Sequence, residues 1–326
     1  MLKRLGKLIG GRDGGGASVR LTVFGKHPGW DDHIEDFPLE TEELAWVKRR
    51  LYTEGIANNI DSGAWERLDS ASRVEGFRHV FVWRLPRGVV VGRLWSSTDG
   101  KGRSQYPMVV AAHCTGAPLE WSLDKVVRRL EWFEGKCVQA RDRAAVAEAL
   151  TRLSDDLRRA AAKRSDQSPP ESSRAEHAQP AVVELAARPE LGPGRIGMHR
   201  LMYEIERELS AFRPLGAGGS TTRARAASAM RAKSLRVPRC GDSPVASALL
   251  WSRFFASQLA EAVPMLLLLP MRHKWVDAVI GDPTPQQFFC LQASESAVPL
   301  TTEVPYTLES DFVAGVEEAI RAAAKP

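Results

Sequence analysis

Two imidazoles and three carboxylates crowd nine residues of this chain, His27-Pro-Gly-Trp-Asp-Asp-His-Ile-Glu35. Carboxylate and imidazole together suit a borderline divalent metal such as zinc, manganese or iron. His27, Asp31, Asp32 and His33 are the candidate ligands. A helical His-x-x-x-His would put two ligands on one face, whereas a Pro-Gly loop does not make its side chains converge. The plainer reading is a polar loop. In it Asp32 accepts hydrogen bonds from backbone amides, and Pro28-Gly29 turns the chain.

A second polar cluster follows at Ser96-Ser97-Thr98-Asp99-Gly-Lys-Gly102-Arg103-Ser-Gln-Tyr106-Pro107. Gly100 and Gly102 can take positive φ without a Cβ penalty. Asp99 can organise an Asx turn, and Arg103 is a planar, permanently charged donor suited to a carboxylate. Two roles are open to Arg103: pairing with Asp31, Asp32 or Asp99 inside the fold, or presentation to an acidic partner.

Other chemistries lack their patterns. Gly25-Lys26 does not have the spacing of a phosphate-binding loop, and the glycines of 10–16 precede a strand instead of following one. No Gly-x-Ser-x-Gly is present. Cys114, Cys137, Cys240 and Cys290 fit no zinc or redox spacing and read as reduced, buried thiols. No cofactor is expected.

The elements that must position these loops are read from periodicity. Strands are expected at Val19–Phe24, His79–Trp83, Val89–Trp95, Tyr106–Ala112, Met265–Leu269, Trp275–Ile280 and Gln287–Gln292. Helices are expected at Leu39–Gly55 (with Thr41 as cap and Gly55 as stop), around Trp65, and at Trp121–Phe133, Arg141–Ala162, His199–Phe212, Ser247–Ala262 and Asp311–Ala324. Asn58–Gly63 reads as a polar loop. The expected fold class is α/β in the α+β sense, a mixed, largely antiparallel sheet flanked by helices. Residues 1–18 read as a flexible basic arm, 19–162 as a first domain, 163–195 as a linker and 196–326 as a second α/β lobe. The two halves are either separate lobes or one continuous sheet. Trp83 and Trp95 are expected in the core, and Trp30 as an exposed anchor.

The 326-residue chain carries a net charge of +5. Much of the excess sits in Met1–Ile9 and in Arg223–Arg239, a stretch with six Lys/Arg and no acid. No DNA- or RNA-binding pattern accompanies it, so nucleic acid is not an expected partner. The apolar run Val263–Met271 is too short to cross a bilayer, and the N-terminus makes a poor signal peptide. A cytoplasmic protein is expected, with peripheral membrane association open through residues 1–16.

The two polar clusters together resemble the TagF (ImpM) family of type VI secretion accessory proteins. Their N-terminal domains open with a strand running into Gly-Lys-Leu-Pro-x-x-Gly-Asp-Phe. Here Gly25, Lys26, Pro28 and Asp32 match in register, while His27, Asp31 and His33 replace Leu, Gly and Phe. The family later shows Pro-Ser-x-Asp-x-x-Gly-Arg-x-x-Pro-Leu. The run Ser97, Asp99, Gly102, Arg103 and Pro107 resembles it, with one extra residue after Arg103. Trp46 and Trp65 fall roughly where the family places helical tryptophans. The resemblance spans about residues 19–115. Some relatives are fused to a metal-dependent phosphatase, whose Asp-Gly-rich motif the second half lacks.

That resemblance implies a non-catalytic, protein-binding accessory or post-translational regulator of a type VI secretion system. Its expected partner is a forkhead-associated scaffold or another component of the machine. The two loops, Lys26–His33 and Thr98–Arg103, are then expected side by side as a structural clasp or a partner surface. A metal-dependent enzyme using His27, Asp31, Asp32 and His33 is the alternative.

Overall fold

The computed structural model describes residues 16–165, 181–213, 231–241 and 243–325. Its centre is an eight-stranded sheet in the order β2-β1-β5-β4-β3-β7-β8-β6. The strands are β1 Ser18–Lys26, β2 His33–Ile34, β3 Arg78–Leu85, β4 Gly88–Ser96, β5 Pro107–Thr115, β6 Lys233–Pro238, β7 Met265–Pro270 and β8 Trp275–Ile280. Every pairing between them is antiparallel.

Strands such as Val89–Val91 and Met265–Leu269 are apolar on consecutive positions because helices cover both faces of the sheet. On one face lie α3 Leu119–Trp121, α4 Val127–Gln139, α5 Arg143–Ser165, α6 Ala181–Ala186, α7 Ile196–Leu209, α8 Pro244–Gln258 and α9 Ser310–Ala323. On the other lie α1 Glu42–Val47, its π-helical continuation Lys48–Ile56, α2 Ala57–Asp61 and the 3-10 segment Pro285–Gln292. Each fully buried Leu or Phe contributes about 1.5–3 kcal/mol of burial free energy. Gly92 is where the second face is tightest: a Cβ there would lie 2.1 Å from the Phe81 ring.

The two halves of the chain share this one sheet. β3 from the first half pairs with β7 from the second, from His79 opposite Pro270 to Arg84 opposite Met265. The expected lobes at 19–162 and 196–326 are therefore joined edge to edge by backbone hydrogen bonds. Of the expected linker 163–195, residues 166–180 lie outside the described residues. Beyond them α6 buries Leu185, and Leu191 is buried further on, so the linker is shorter than expected. Residues 1–15 of the arm and 223–230 of the basic stretch also lie outside the described residues.

Several elements differ from their sequence reading. Gly55 does not stop the first helix, which runs on to Asp61; a Cβ at Gly55 would lie 2.4 Å from the Phe288 ring, so close packing accounts for the glycine. Asn59, expected in a loop, is buried in that helix and donates to the carbonyls of Gly55 and Pro285. Trp65, expected on a short helix, lies in a turn. Gln287–Gln292 is not a strand. Thr284 and Gln287 form a capping box, and Pro285 opens a 3-10 helix that buries Phe288 and Leu291. β6 was hidden in the basic stretch because its central residue is charged. Arg236 is buried opposite Asp277 on β8, forming a two-pronged pair at 2.7 and 3.0 Å, and lies over the Trp275 ring.

Candidate functional site

β1 ends, β4 ends and β5 begins at the same edge of the sheet, and this brings the two motif loops together. Gly25 has φ +107°, and a Cβ there would lie 2.2 Å from the Pro107 carbonyl oxygen. Glycine is thus required for β1 to pass β5. The next residue, Lys26, is only 3% exposed. Its ammonium donates to Asp32 Oδ1 at 2.7 Å and to Asp99 Oδ2 at 2.9 Å. One buried cation therefore ties both loops.

Asp99 is buried and organises its loop. Oδ1 accepts from the amides of Lys101 and Arg103, each at 3.0 Å. Oδ2 accepts from Arg103 Nε at 2.7 Å as well as from Lys26. Gly102, at φ +80°, closes the turn by donating to the Asp99 carbonyl. Burial pushes the Asp99 carboxyl up, but bonds from Lys26 and Arg103 outweigh this and hold it well below its ordinary 3.8.

The first loop is locked to the second. Gly100 N donates to the Trp30 carbonyl at 2.7 Å, and Arg103 Nη2 donates to the Asp31 carbonyl at 2.8 Å. Asp31 is exposed, and its Oδ1 lies over the second loop, 2.8 Å from where a Cβ on Gly100 would be. Asp32 is 67% exposed. Its Oδ1 also meets His33 Nδ1 at 2.9 Å, and the bond from Lys26 is the main cause of its lowered pKa. The His33 ring packs edge-on against Tyr52 and Tyr106. Burial lowers its pKa and Asp32 opposes, with a net downward shift. The Pro107 carbonyl accepts from Tyr52 OH. Ser97 makes no hydrogen bond to this cluster among the described residues.

Trp30 is buried, contrary to its reading as an exposed anchor. Its indole N–H donates to Asp36 at 2.6 Å, and Arg143 of α5 covers its ring at 5.4 Å. Pro28-Gly29 turns the chain against the start of α5, where a Cβ on Gly29 would lie 2.8 Å from Asp142 backbone. His27 is buried as well. Nε2 meets the Cys137 carbonyl at 3.0 Å, and Nδ1 accepts from Gly29 N at 3.0 Å. Burial lowers its pKa and favours this neutral form.

These placements bear on the metal reading of this loop. His27 has both ring nitrogens committed to backbone. The position between Asp32 and Asp99 is filled by the Lys26 ammonium. No group of three or more His, Cys, Asp or Glu among the described residues is arranged to hold a metal. The donor set does not fit a metal centre. All four cysteines are unpaired and buried, and burial pushes the Cys114, Cys137 and Cys240 thiols up to about 12.

Arg103 combines the two roles left open for it. It is paired inside the cluster, yet its guanidinium is half exposed beside Asp32. Tyr106, from the second polar cluster, completes the site with Tyr52 and Arg143, which carried no motif. Tyr52 is on a helix whose apolar spacing marks it only as core, and Arg143 is one of two arginines, with Arg141, at the start of α5. A cleft of about 360 Å³ between Trp46, Leu85 and Pro264 lies at the opposite end of the sheet and shares no lining residue with the cluster.

No helix of the described residues is long and apolar enough to cross a membrane. Compared with known proteins, the chain matches no family model and no curated sequence.

Proposed function

We propose that this protein is a non-catalytic binding subunit of TagF type, a cytoplasmic accessory or post-translational regulator of a type VI secretion system. The expected partner is a forkhead-associated scaffold or another component of that machine. One observation carries the reading: Lys26 joins Asp32 and Asp99, which stand in the two segments on which the family resemblance rests. The clasp makes a rigid loop pair and leaves Arg103, Asp32 and Asp31 at its rim. A rigid, charged rim is what specific recognition of a protein surface needs, and the clasp requires no group to turn over a substrate.

The test is affinity capture of the tagged full-length chain from its own host, read by mass spectrometry, beside an Arg103→Ala variant. Enrichment of a forkhead-associated scaffold or other secretion components by the wild type, reduced in the variant, supports the reading. Capture without any such component overturns it.

A further inference from the structure

The outer surface of α4 carries a tryptophan that the fold leaves in solvent. Trp132 is 37% exposed, and Val138 on the same helix is 60% exposed. The helical repeat sets Trp132, Gly135 and Val138 along one ridge. A partner that covers such side chains gains the free energy of removing them from water.

The ring lies between two cations. Lys136 Nζ is 6.0 Å from its centroid, and Arg152 Cζ of α5 is 5.7 Å away. Neither forms an ion pair among the described residues. Their neighbours differ: Arg128 is matched by Asp124, and Arg129 by Asp156. Gly135 adds a third feature. A Cβ there would meet no atom within 4 Å, so packing does not demand glycine. Glycine inside a helix is less stable than alanine. What it leaves is open, exposed helix surface one turn along from Trp132.

We propose that this face docks an acidic segment of a partner protein. An apolar side chain of that segment seats on the exposed part of Trp132, while its carboxylates pair with Lys136 and Arg152. A central aromatic with charged flanks is the usual anatomy of a binding hot spot. A nucleic-acid backbone calls for a longer row of unpaired cations than Lys136 and Arg152 supply. The face stands apart from the motif loops, so its test is separate from that of the TagF-like reading.

The experiment is fluorescence anisotropy on the full chain. One labelled probe is a short peptide of Asp and Glu around a central Phe, the second its Asn and Gln counterpart, and the third a single-stranded DNA. The acidic peptide binds, and its amide counterpart binds about tenfold or more weakly. Trp132→Ala and the double change Lys136→Glu with Arg152→Glu each weaken the acidic peptide by about tenfold or more. Equal binding of the acidic and amide peptides, no binding of the acidic peptide, or unchanged binding by Trp132→Ala overturns the proposal. Tighter binding of DNA with the same dependence on Trp132 also overturns it and assigns the face to nucleic acid.

Discussion

Lys26 and Asp99, 73 residues apart in the chain, form an ion pair at 2.9 Å with both side chains closed to solvent. Without Lys26, buried Asp99 keeps Arg103 but loses one of its two cations, and stripping a buried charge of a partner costs more than the pair itself contributes. Lys26→Met therefore lowers the melting temperature by about 5–10 °C. Differential scanning fluorimetry checks this, and an unchanged transition contradicts the clasp.

The two aspartates of the clasp are not equivalent. Asp99 is buried and serves two loop amides and two cations, whereas Asp32 is two-thirds exposed. Asp99→Ala lowers the melting temperature markedly, and Asp32→Ala lowers it by no more than about 2 °C, in keeping with an exposed ion pair. Equal shifts contradict this assignment of burial.

The clasp also sets an acid limit. Asp32 and Asp99 both titrate below 3.8 when folded, so the folded chain binds fewer protons there than the unfolded one. Their stabilisation is complete above about pH 5 and is lost as pH falls through the lowered values. The melting difference between wild type and Asp99→Asn is then flat from about pH 5 to 8 and narrows below about pH 4. His27 and His33 also titrate lower than usual, but they are common to both proteins and cancel in the difference. A difference that widens on acidification contradicts the argument.

His27 is a structural histidine that bonds Cys137 and Gly29, so metal removal leaves the fold alone. Prolonged treatment with a chelator, followed by thermal melting, shows no shift. His27→Ala lowers stability with or without added zinc. Zinc-dependent stabilisation of the wild type that His27→Ala abolishes restores the metal reading.

The single sheet predicts the behaviour of a divided chain. Expressed without the second half, residues 16–165 expose the β3 edge that β7 covers, including Phe81 and Trp83. Unpaired apolar edges associate. Size-exclusion chromatography shows aggregates or unfolded material, and a monomeric, cooperatively melting fragment contradicts the continuous sheet.

The apolar strands were legible because runs such as Val89–Val91 and Leu266–Leu269 leave few alternatives, and the long α5 was legible from its helix formers. β6 was not, because Arg236 at its centre reads as solvent-facing until Asp277 is seen across the ladder. Gln287–Gln292 looked like a strand because its buried residues mimic alternation, although Thr284 and Gln287 carried a cap signal. At the site, the carboxylates and Arg103 stood out by type. The central role of Lys26 did not, since only the fold brings Asp99 to it. Trp30 misled because a Pro-Gly loop is usually exposed, whereas α5 closes over this one.

The most direct test of the binding reading is isothermal titration of the purified chain against a purified forkhead-associated scaffold from the same host. Saturable binding that falls about tenfold or more in a folded Arg103→Ala variant is the expected result. No binding by the wild type, or equal binding by the variant, contradicts the assignment of the clasped loops as the partner surface.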